Sequence, residues 1–412
     1  MKNIYVFLLA FLLFHPALAQ KPKLPGSASS GNTYNSICYA GDHTLYIVGS
    51  SGSLLKSVNG GESFFRLNPP ASVELYSVSF LNPDEGYLCG ENHVILSTTD
   101  GAGTWVDRST NLLSDAISVF AAGGNTVYAT GMRTGCLPPA GTNPCGEIIK
   151  SVDAGISWTL EYWYTMNTLY YVYFPSADTG YVVGDNSLCL ATNGSGWISS
   201  GFSPPTSLVS VHSPHAGIAY AVSLDGIVVK TSNSGISWNN IPTGLPQKSL
   251  RSVWFTSDST GYICGESGSI MKTTDGGASW TALNTGSIQW LLSITFSSPD
   301  TGFAVGTHET ILRTTDAGLT WNNVTVGTGN EKEFSAGLKA HPVPSTGIVT
   351  IQFPSVITSG LITVSSISGL DLIKQNVNGN KTRLDIGPLS GGVYFLRLIS
   401  GDKVYTGKII RE

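Results

Sequence analysis

A short turn motif that recurs about every 41 residues constrains the fold of this chain more than any other feature. Its clearest copy is Lys272-Thr-Thr-Asp-Gly-Gly-Ala-Ser-Trp280. Asp275 can accept hydrogen bonds from backbone N–H groups of its own turn, and Gly276 and Gly277 adopt positive φ at no steric cost. Trp280 then begins the return strand with a large apolar side chain. Each copy is therefore predicted to be a β-hairpin turn.

The copies of this motif have a near-constant period. Further copies occupy Ser97–Trp105, Ser151–Trp158, Thr231–Trp238 and Arg313–Trp321, with reduced copies at Ser57–Phe64 and Ala191–Trp197. Each copy is preceded by a strand pattern that begins Ser-Val or a close variant, and successive patterns are 41, 41, 53, 39, 42 and 41 residues apart. Seven units of four short strands at this period are typical of a β-propeller. The sequence thus predicts an all-β fold with seven blades.

The acids and tryptophans of the motif are assigned to structure rather than to chemistry. They are Asp100, Asp153, Asp275, Asp316, Trp105, Trp158, Trp238, Trp280 and Trp321. Three other copies carry asparagine instead, as Asn59, Asn193 and Asn233. An amide oxygen can cap a turn as a carboxylate does, but it cannot do the same acid–base work. We therefore expect these positions to hold turns and blades together.

The two ends of the chain differ from the repeat. Residues 1–19 are predicted to be a secretory signal peptide, because Lys2 is followed by the apolar run Ile4–Phe14 and by Ala17-Leu-Ala19. That run is too short to span a bilayer, and the mature form is expected to have no membrane span. We expect a flexible lead-in at 20–33, the propeller at 34–326, a linker at 327–337 and a second β-rich domain at 338–412.

Charge and cysteine content narrow the possible partners. Residues 20–337 carry 13 Lys and Arg against 23 Asp and Glu, a net charge of −10, which argues against nucleic acid as a ligand. Cys136 and Cys145 flank a short turn-rich segment and are predicted to form a disulfide after export. No Cys/His spacing suggests a metal site, and no cofactor is expected.

The motifs resemble those of known families. The turn copies resemble the Asp-box, or BNR-type, repeats of sialidases, and the full unit resembles the propellers of photosystem II assembly factors. The C-terminal pattern Leu389-Ser-Gly-Gly-Val-Tyr-Phe-Leu-Arg397, with the ending Lys408-Ile-Ile-Arg-Glu412, resembles the type A C-terminal sorting domain of type IX secretion substrates. This resemblance implies a small Ig-like β-sandwich that engages the type IX machinery, and a mature protein at the cell surface or in the medium.

Strand order predicts which loops could meet a ligand. In a propeller whose blades run from the inside outwards, the loops between the second and third strands share one face with the connections between blades. Candidate ligand residues on that face are the acids Glu91, Asp185, Asp225 and Glu266 and the aromatic residues Trp163, Tyr164 and Trp290. Aromatic rings suit sugars and peptides, since both offer apolar faces and polar edges.

Two functions remain open from the sequence. The first hypothesis is a non-catalytic binding or adhesion module whose ligand is a protein or a glycan. The alternative is a carbohydrate-active hydrolase acting on extracellular polysaccharide, in which two of the four acids act as a pair. The sequence contains no nucleophile elbow or phosphate loop, and it lacks the arginine cluster that a sialidase requires.

Overall fold

The chain folds into short antiparallel strands grouped into eight sheets. This computed structural model describes residues 31–41, 43–68, 70–133, 145–165, 167–200, 202, 205–244, 248–330, 338–366, 371–400 and 403–412. Within them, seven sheets follow one another along the chain, and in each the strands pair antiparallel in chain order. The predicted all-β, seven-bladed propeller is therefore confirmed.

The strands of the seven blades are short. In blades 1 to 4 they are β1 (Tyr34–Gly41), β2 (Thr44–Gly49), β3 (Leu54–Ser57), β4 (Phe64–Arg66), β5 (Leu75–Phe80), β6 (Gly86–Gly90), β7 (Ile95–Thr98), β8 (Val106–Asp107), β9 (Asp115–Gly123), β10 (Thr126–Arg133), β11 (Cys145–Ser151), β12 (Thr159–Thr165), β13 (Leu169–Tyr173), β14 (Gly180–Gly184), β15 (Cys189–Thr192) and β16 (Trp197–Ser200). In blades 5 to 7 they are β17 (Leu208–His215), β18 (Ile218–Ser223), β19 (Val228–Thr231), β20 (Asn239–Ile241), β21 (Leu250–Phe255), β22 (Gly261–Gly265), β23 (Ile270–Thr273), β24 (Thr281–Leu283), β25 (Leu291–Phe296), β26 (Gly302–Gly306), β27 (Ile311–Thr314) and β28 (Asn322–Asn323). Single 3-10 turns follow the second strands of blades 1, 4 and 6, at Ser50–Gly52, Asp185–Ser187 and Glu266–Gly268.

The first strand of every blade lies innermost. Each first strand contacts the first strand of the next blade, from β1 through β25 and back to β1. The antiparallel order then defines two faces. The box face carries the Asp-box turns and the loops between first and second strands. The crossing face carries the loops between second and third strands and the connections between blades.

A serine in the first strand joins most neighbouring blades. The backbone N–H of Val78 in blade 2 donates to the hydroxyl of Ser36 in blade 1 at 3.4 Å. The same bond recurs at five more junctions, where the accepting serines are Ser77, Ser118, Ser210, Ser252 and Ser293. In blade 4 the position is Tyr171, which makes no such bond. The recurring Ser-Val pattern therefore reflects a hydrogen bond between blades.

The ring closes by packing of blade 7 against blade 1. The N–H of Ile37 donates to Ser293 Oγ at 3.3 Å, as at the other junctions. Beside it, the Phe303 ring lies against Gly61, where an added Cβ would stand 2.1 Å from a ring carbon. On the crossing face the Glu309 N–H donates to the Asn32 carbonyl at 2.8 Å. Closure thus uses the same serine bond that joins five other pairs of neighbouring blades.

Several Asp-box turns are also held by side chains of the preceding blade. Between blades 5 and 6, the Tyr220 ring stacks on Phe255 at 3.6 Å, and Phe255 meets Trp280 edge-to-face at 6.2 Å. The Tyr220 hydroxyl and the Lys230 ammonium both donate to the Gly276 carbonyl at 3.0 Å. Equivalent bonds reach the boxes of blades 2 and 7 from Tyr46 with Lys56 and from Tyr262 with Lys272. The box tryptophans are therefore part of the blade junctions.

Within the box, a buried hydroxyl and an exposed carboxylate share the turn donors. Thr273 Oγ1 donates to Asp275 Oδ1 at 2.8 Å and accepts from the Gly277 N–H at 2.9 Å. Asp275 accepts from the hydroxyl and the N–H of Ser279, and these bonds lower the pKa of Asp275 to about 2. Asn233 occupies the same position in blade 5 and accepts from the Ser237 N–H at 3.0 Å. An amide thus fills this role.

The C-terminal unit is a separate five-stranded assembly. Its strands are β30 (Lys339–His341), β31 (Ile348–Ser366), β32 (Asp371–Asp385), β33 (Gly392–Ser400) and β34 (Lys403–Arg411), in the order β30-β31-β33-β34, with β32 paired to β31. The β31–β32 register shifts between Gln352 and Gly360. Buried side chains from β31 to β34 form one hydrophobic cluster that includes Val349, Ile362 and Leu396.

The contacts divide the chain into two units near the expected boundary. The first unit ends at Thr325, and the second begins at Val326 and includes Phe65–Asn68. Residues 326–330, where the sequence analysis placed the end of the propeller and the start of a linker, form strand β29 (Val326–Asn330), which pairs with the outer strand β4. An edge strand offers unpaired backbone groups to a following segment. The expected signal peptide, most of the lead-in and residues 331–337 lie outside the described residues.

No helix in the described part of the chain is long and apolar enough to cross a membrane.

We predict that Thr273→Val destabilises the protein while Asp275→Asn leaves it close to wild type. The valine keeps the shape of the side chain but leaves the buried N–H of Gly277 without an acceptor, at a cost of about 1–3 kcal/mol. The asparagine keeps the capping oxygen, as Asn233 does. Urea unfolding of both variants measures the difference. Equal midpoints for Thr273→Val and wild type would contradict this account of the box.

Candidate functional site

Five of the seven candidate residues named from the sequence lie in loops of the crossing face. The four acids occupy the loops between the second and third strands of blades 2, 4, 5 and 6, and Trp290 lies just before β25. Trp163 and Tyr164 are placed differently from the expectation of a crossing segment. They belong to β12, where they pair with Glu147 and Gly146 of β11, and their side chains lie outside the described residues.

Three of the acids perform one repeated structural task. Glu91, Asp185 and Glu266 each directly follow a second strand. Each accepts a hydrogen bond from the backbone N–H of the residue just before the first strand of its own blade, at 3.5, 3.1 and 3.3 Å. In blades 1 and 7 the hydroxyls of Ser50 and Thr307 do the same at 2.8 and 3.2 Å. Because a hydroxyl suffices, the position requires an acceptor and not a carboxylic acid.

The fourth acid is also held by its neighbours. Asp225 Oδ2 accepts from the Thr206 hydroxyl at 2.5 Å, and the other oxygen of Asp185 accepts from the Ser207 hydroxyl at 2.7 Å. Thr206 and Ser207 belong to the connection that leads from blade 4 into blade 5. The two carboxylates therefore anchor this connection from both sides.

At the crossing end of the central channel, a cation lies on an aromatic ring. The Arg251 guanidinium carbon is 5.2 Å from the centre of the half-buried Trp290 ring. Burial lowers the pKa of Arg251 to about 10, so that the side chain stays charged at neutral pH. Its Nε has no hydrogen-bond partner among the described residues. The arginine interrupts the apolar residues that are common at this position of the repeat.

The same end of the channel is partly closed by apolar side chains. Ile117, Tyr170 and Val209, which immediately precede the serine position of their strands or its equivalent, form a small buried cluster. Burial, together with the negative charge of Asp185, raises the pKa of Tyr170. The crossing end therefore presents Arg251 and Trp290 beside a neutral phenol and an apolar floor.

The box end of the channel contains a cavity of about 300 Å³. It lies where the first strands of blades 4 to 7 end, and its wall includes Tyr173, His212 and Trp254. His212 is buried, and this burial lowers its pKa to about 3. The sequence analysis assigned no role to these three residues. The sequence feature that could have identified them is a break in the repeat, because the equivalent position is cysteine, serine or threonine in three other blades.

A buried carboxylate marks the crossing end of blade 3. Glu147 Oε1 in β11 is 3.6 Å from Arg133 Nη1 in β10. Burial raises the pKa of Glu147, and the nearby arginine opposes this shift. At the start of the same strand, Cys145 is disulfide-bonded. Cys136, the partner predicted from the sequence, lies outside the described residues.

The acids of the crossing face are held by the scaffold, and none of them belongs to a metal-binding group within the described residues. No group of three or more His, Cys, Asp and Glu side chains among those residues could hold a metal ion. The four candidate acids accept hydrogen bonds from neutral donors of the scaffold, as described above. Arg251 and Trp290 place a cation and an aromatic ring at this face.

Fold and site together define the class of the protein as an Asp-box β-propeller followed by a secretion-type C-terminal domain. Residues 279–338 match the family described as Photosynthesis system II assembly factor YCF48, and residues 339–412 match the Secretion system C-terminal sorting domain. Both resemblances drawn from the motifs are thereby confirmed. The sorting domain indicates secretion by the type IX system to the cell surface or the medium, and it implies contact with that machinery.

Curated relatives match a short stretch. The Photosystem II assembly protein Ycf48 of Synechococcus sp. (strain JA-3-3Ab) is 33% identical over 78 residues, which cover 18% of this chain and 23% of the relative. The protein of the same name from strain JA-2-3B'a(2-13) is 30% identical over 77 residues, with the same coverage. The match thus spans less than a quarter of the length of these relatives.

Solved structures extend the likeness to the whole propeller. YCF48 bound to D1 peptide has a TM-score of 0.57 and 20% identity, and the match covers 69% of this chain and 94% of that one. YCF48 from Cyanidioschyzon merolae has a TM-score of 0.56 and 18% identity, over 69% and 96%. The Niastella koreensis GH74 enzyme has a TM-score of 0.58 and 14% identity, over 91% and 72%. At these identities the likeness concerns the fold alone.

We predict that His212 makes the protein less stable in acid. Its folded pKa lies near 3, whereas an unfolded histidine titrates near 6.5. Between these values the unfolded chain binds the proton that the folded chain excludes, so that stability falls as the pH drops from 6.5 towards 3. His212→Gln should reduce the loss of unfolding free energy between pH 7 and 4.5 by about 3 kcal/mol. Urea unfolding at both pH values tests this, and an equal loss in both proteins would contradict it.

Proposed function

We propose that the protein is a non-catalytic binding or adhesion module, exported by type IX secretion, that takes a protein or glycan ligand on its crossing face. The observation that carries this proposal is the division of roles on that face. Glu91, Asp185 and Glu266 hold backbone N–H groups of their own blades. Arg251 and Trp290 form a cation–aromatic pair at the mouth of the channel.

The pair of Arg251 and Trp290 suits a ligand with both charged and apolar parts. A guanidinium that already lies on a ring keeps its N–H edge for a ligand carbonyl or carboxylate, while the other face of the ring can stack. Trp163 and Tyr164 are proposed to extend this surface from the crossing end of β12. A similar propeller structure is that of YCF48 bound to D1 peptide, which supports a protein segment as one class of ligand.

A carbohydrate-active hydrolase is the alternative function. It would require two carboxyl groups about 5–10 Å apart, one of them acting as a proton donor. Glu91, Asp185, Asp225 and Glu266 are the acids available for that role. Their carboxylate oxygens accept hydrogen bonds from the scaffold. This favours binding over turnover, because a catalytic acid must transfer its proton to the substrate.

We predict that Trp290→Ala weakens ligand binding while Ile288→Ala does not. Both residues lie in the same connection, and Ile288 is exposed, which makes it a matched control. Loss of a stacked ring costs about 1–3 kcal/mol, or roughly 5- to 150-fold in affinity. Ligands are first identified on peptide and glycan arrays with the mature protein and are then titrated against each variant. Unchanged affinity in Trp290→Ala would place the ligand elsewhere.

The acid-to-amide variants of Glu91, Asp185, Asp225 and Glu266 separate the two functions. An amide keeps the oxygen that caps the backbone, so that each variant should fold normally. A binding module should keep its affinity in all four, and it should release no product from a panel of polysaccharides. A hydrolase should lose turnover by orders of magnitude in one variant while still binding, and that outcome would defeat the binding proposal.

We propose that residues from Leu338 onward act as a sorting signal and contribute nothing to the fold of the propeller. Deletion of 338–412 should then leave a folded propeller in the periplasm. Cell fractionation and a thermal melt of the truncated protein measure both expectations. Arrival of the truncated protein at the surface would contradict the role of the tail, and loss of the propeller fold would show that the two units depend on each other.

A further inference from the structure

The position two residues after the serine of each first strand faces the channel with unequal side chains. In blades 3 to 6 it carries rings, which are Phe120, Tyr173, His212 and Trp254. In the other blades it carries Cys38, Ser79 and Thr295. Neighbouring rings touch, with centroids 5.3, 4.6 and 4.2 Å apart in chain order. The four rings therefore form a continuous aromatic arc on one side of the axis.

His212 is held neutral and in one tautomer within this arc. Its Nδ1 accepts a hydrogen bond from the Phe255 N–H at 3.2 Å, so that the ring proton is on Nε2. The imidazole lies between the rings of Tyr173 and Trp254, tilted from them by 44° and 35°. All three side chains line the cavity at the box end of the channel. Tyr173 Oη, His212 Nε2 and Trp254 Nε1 have no partner among the described residues.

The cavity beside the arc is small and uncharged. Its volume of about 300 Å³ is at the lower end of the range for small-molecule sites. No Asp, Glu, Lys or Arg lines it within the described chain, and the remaining wall consists of Phe, Pro, Ser and Thr side chains from blades 5 to 7. A charged ligand would lose its hydration here without gaining a partner.

We propose that this cavity binds one uncharged saccharide residue, such as the end of a neutral glycan. A sugar ring offers hydroxyls that both donate and accept, and these match two N–H donors and one phenol on the arc. Its C–H faces can pack on the apolar wall. The cavity is a pit at the channel mouth, walled by four successive blades, whereas an extended peptide needs a groove along which to lie.

This site lies on the opposite face from the site of the proposed function and is independent of it. Failure of either proposal leaves the other standing, because Trp290 and Trp254 are at different ends of the channel. Ile288→Ala, at an exposed position in a blade connection, is the control variant for the cavity.

The test is an array of neutral mono- and oligosaccharides probed with the mature protein, followed by calorimetric titration of the sugars that bind. Two variants alter the cavity differently. Trp254→Ala removes a ring of the arc, and Ser298→Trp fills the cavity from an exposed rim position without changing the core. We expect each to weaken saccharide binding at least about tenfold and Ile288→Ala to leave it unchanged. Thermal melts establish that the variants are folded.

The possible outcomes decide the proposal. Saccharide binding that is lost in folded Ser298→Trp and kept in Ile288→Ala supports it, even if Trp254→Ala does not fold. Absence of binding to every neutral sugar on the array overturns it. So does saccharide binding that survives Ser298→Trp, or a proline-rich peptide that binds the cavity when the sugars do not.

Discussion

The hydrogen bond from one first strand to the next is the interaction on which the structure depends. A four-stranded blade cannot bury both of its faces alone, and it becomes stable only when neighbours cover them. In six junctions a serine hydroxyl in the first strand accepts the N–H of Val or Ile in the next blade. An unpaired buried N–H is costly, so that this bond sets both the spacing and the register of adjacent blades. The bond from Ile37 to Ser293 closes the ring without an exchanged strand.

The outer half of a blade also depends on contacts with the neighbouring blade. Tyr220 and Lys230 of one blade reach the Gly276 carbonyl in the box of the next, and Phe255 lies between Tyr220 and Trp280. The Asp box is thus a turn, a cap and a docking point at once. Its aspartate is exposed and accepts hydrogen bonds from groups of its own turn. Asparagine can also accept such bonds, which explains why it replaces the aspartate in other copies.

Positions that break the repeat mark the regions available for function. Tyr171 replaces the junction serine, Arg251 interrupts an apolar position, and Trp254 and His212 replace small residues in the channel. None of these changes is required to build a blade, because the other blades form without them. In a propeller of similar blades, residues specialised for function are therefore found where one blade differs from the others. In this protein the departures gather along the channel, on blades 4 to 6, and they create different chemistry at its two ends.

The sequence by itself determined the repeat, the number of blades, the turn chemistry and the sorting tail, because these depend on local patterns such as Asp-x-Gly-x-Ser-Trp and on their spacing. Local pattern also selected Glu91, Asp185 and Glu266 as candidate ligand residues. Only the tertiary structure revealed that each caps an N–H 17 residues away in the chain. It also decided that Arg251 lies on Trp290, and that Tyr173, His212 and Trp254, about 40 residues apart in sequence, form one wall. Such contacts follow from how the blades pack around a common axis, and no local pattern encodes that geometry.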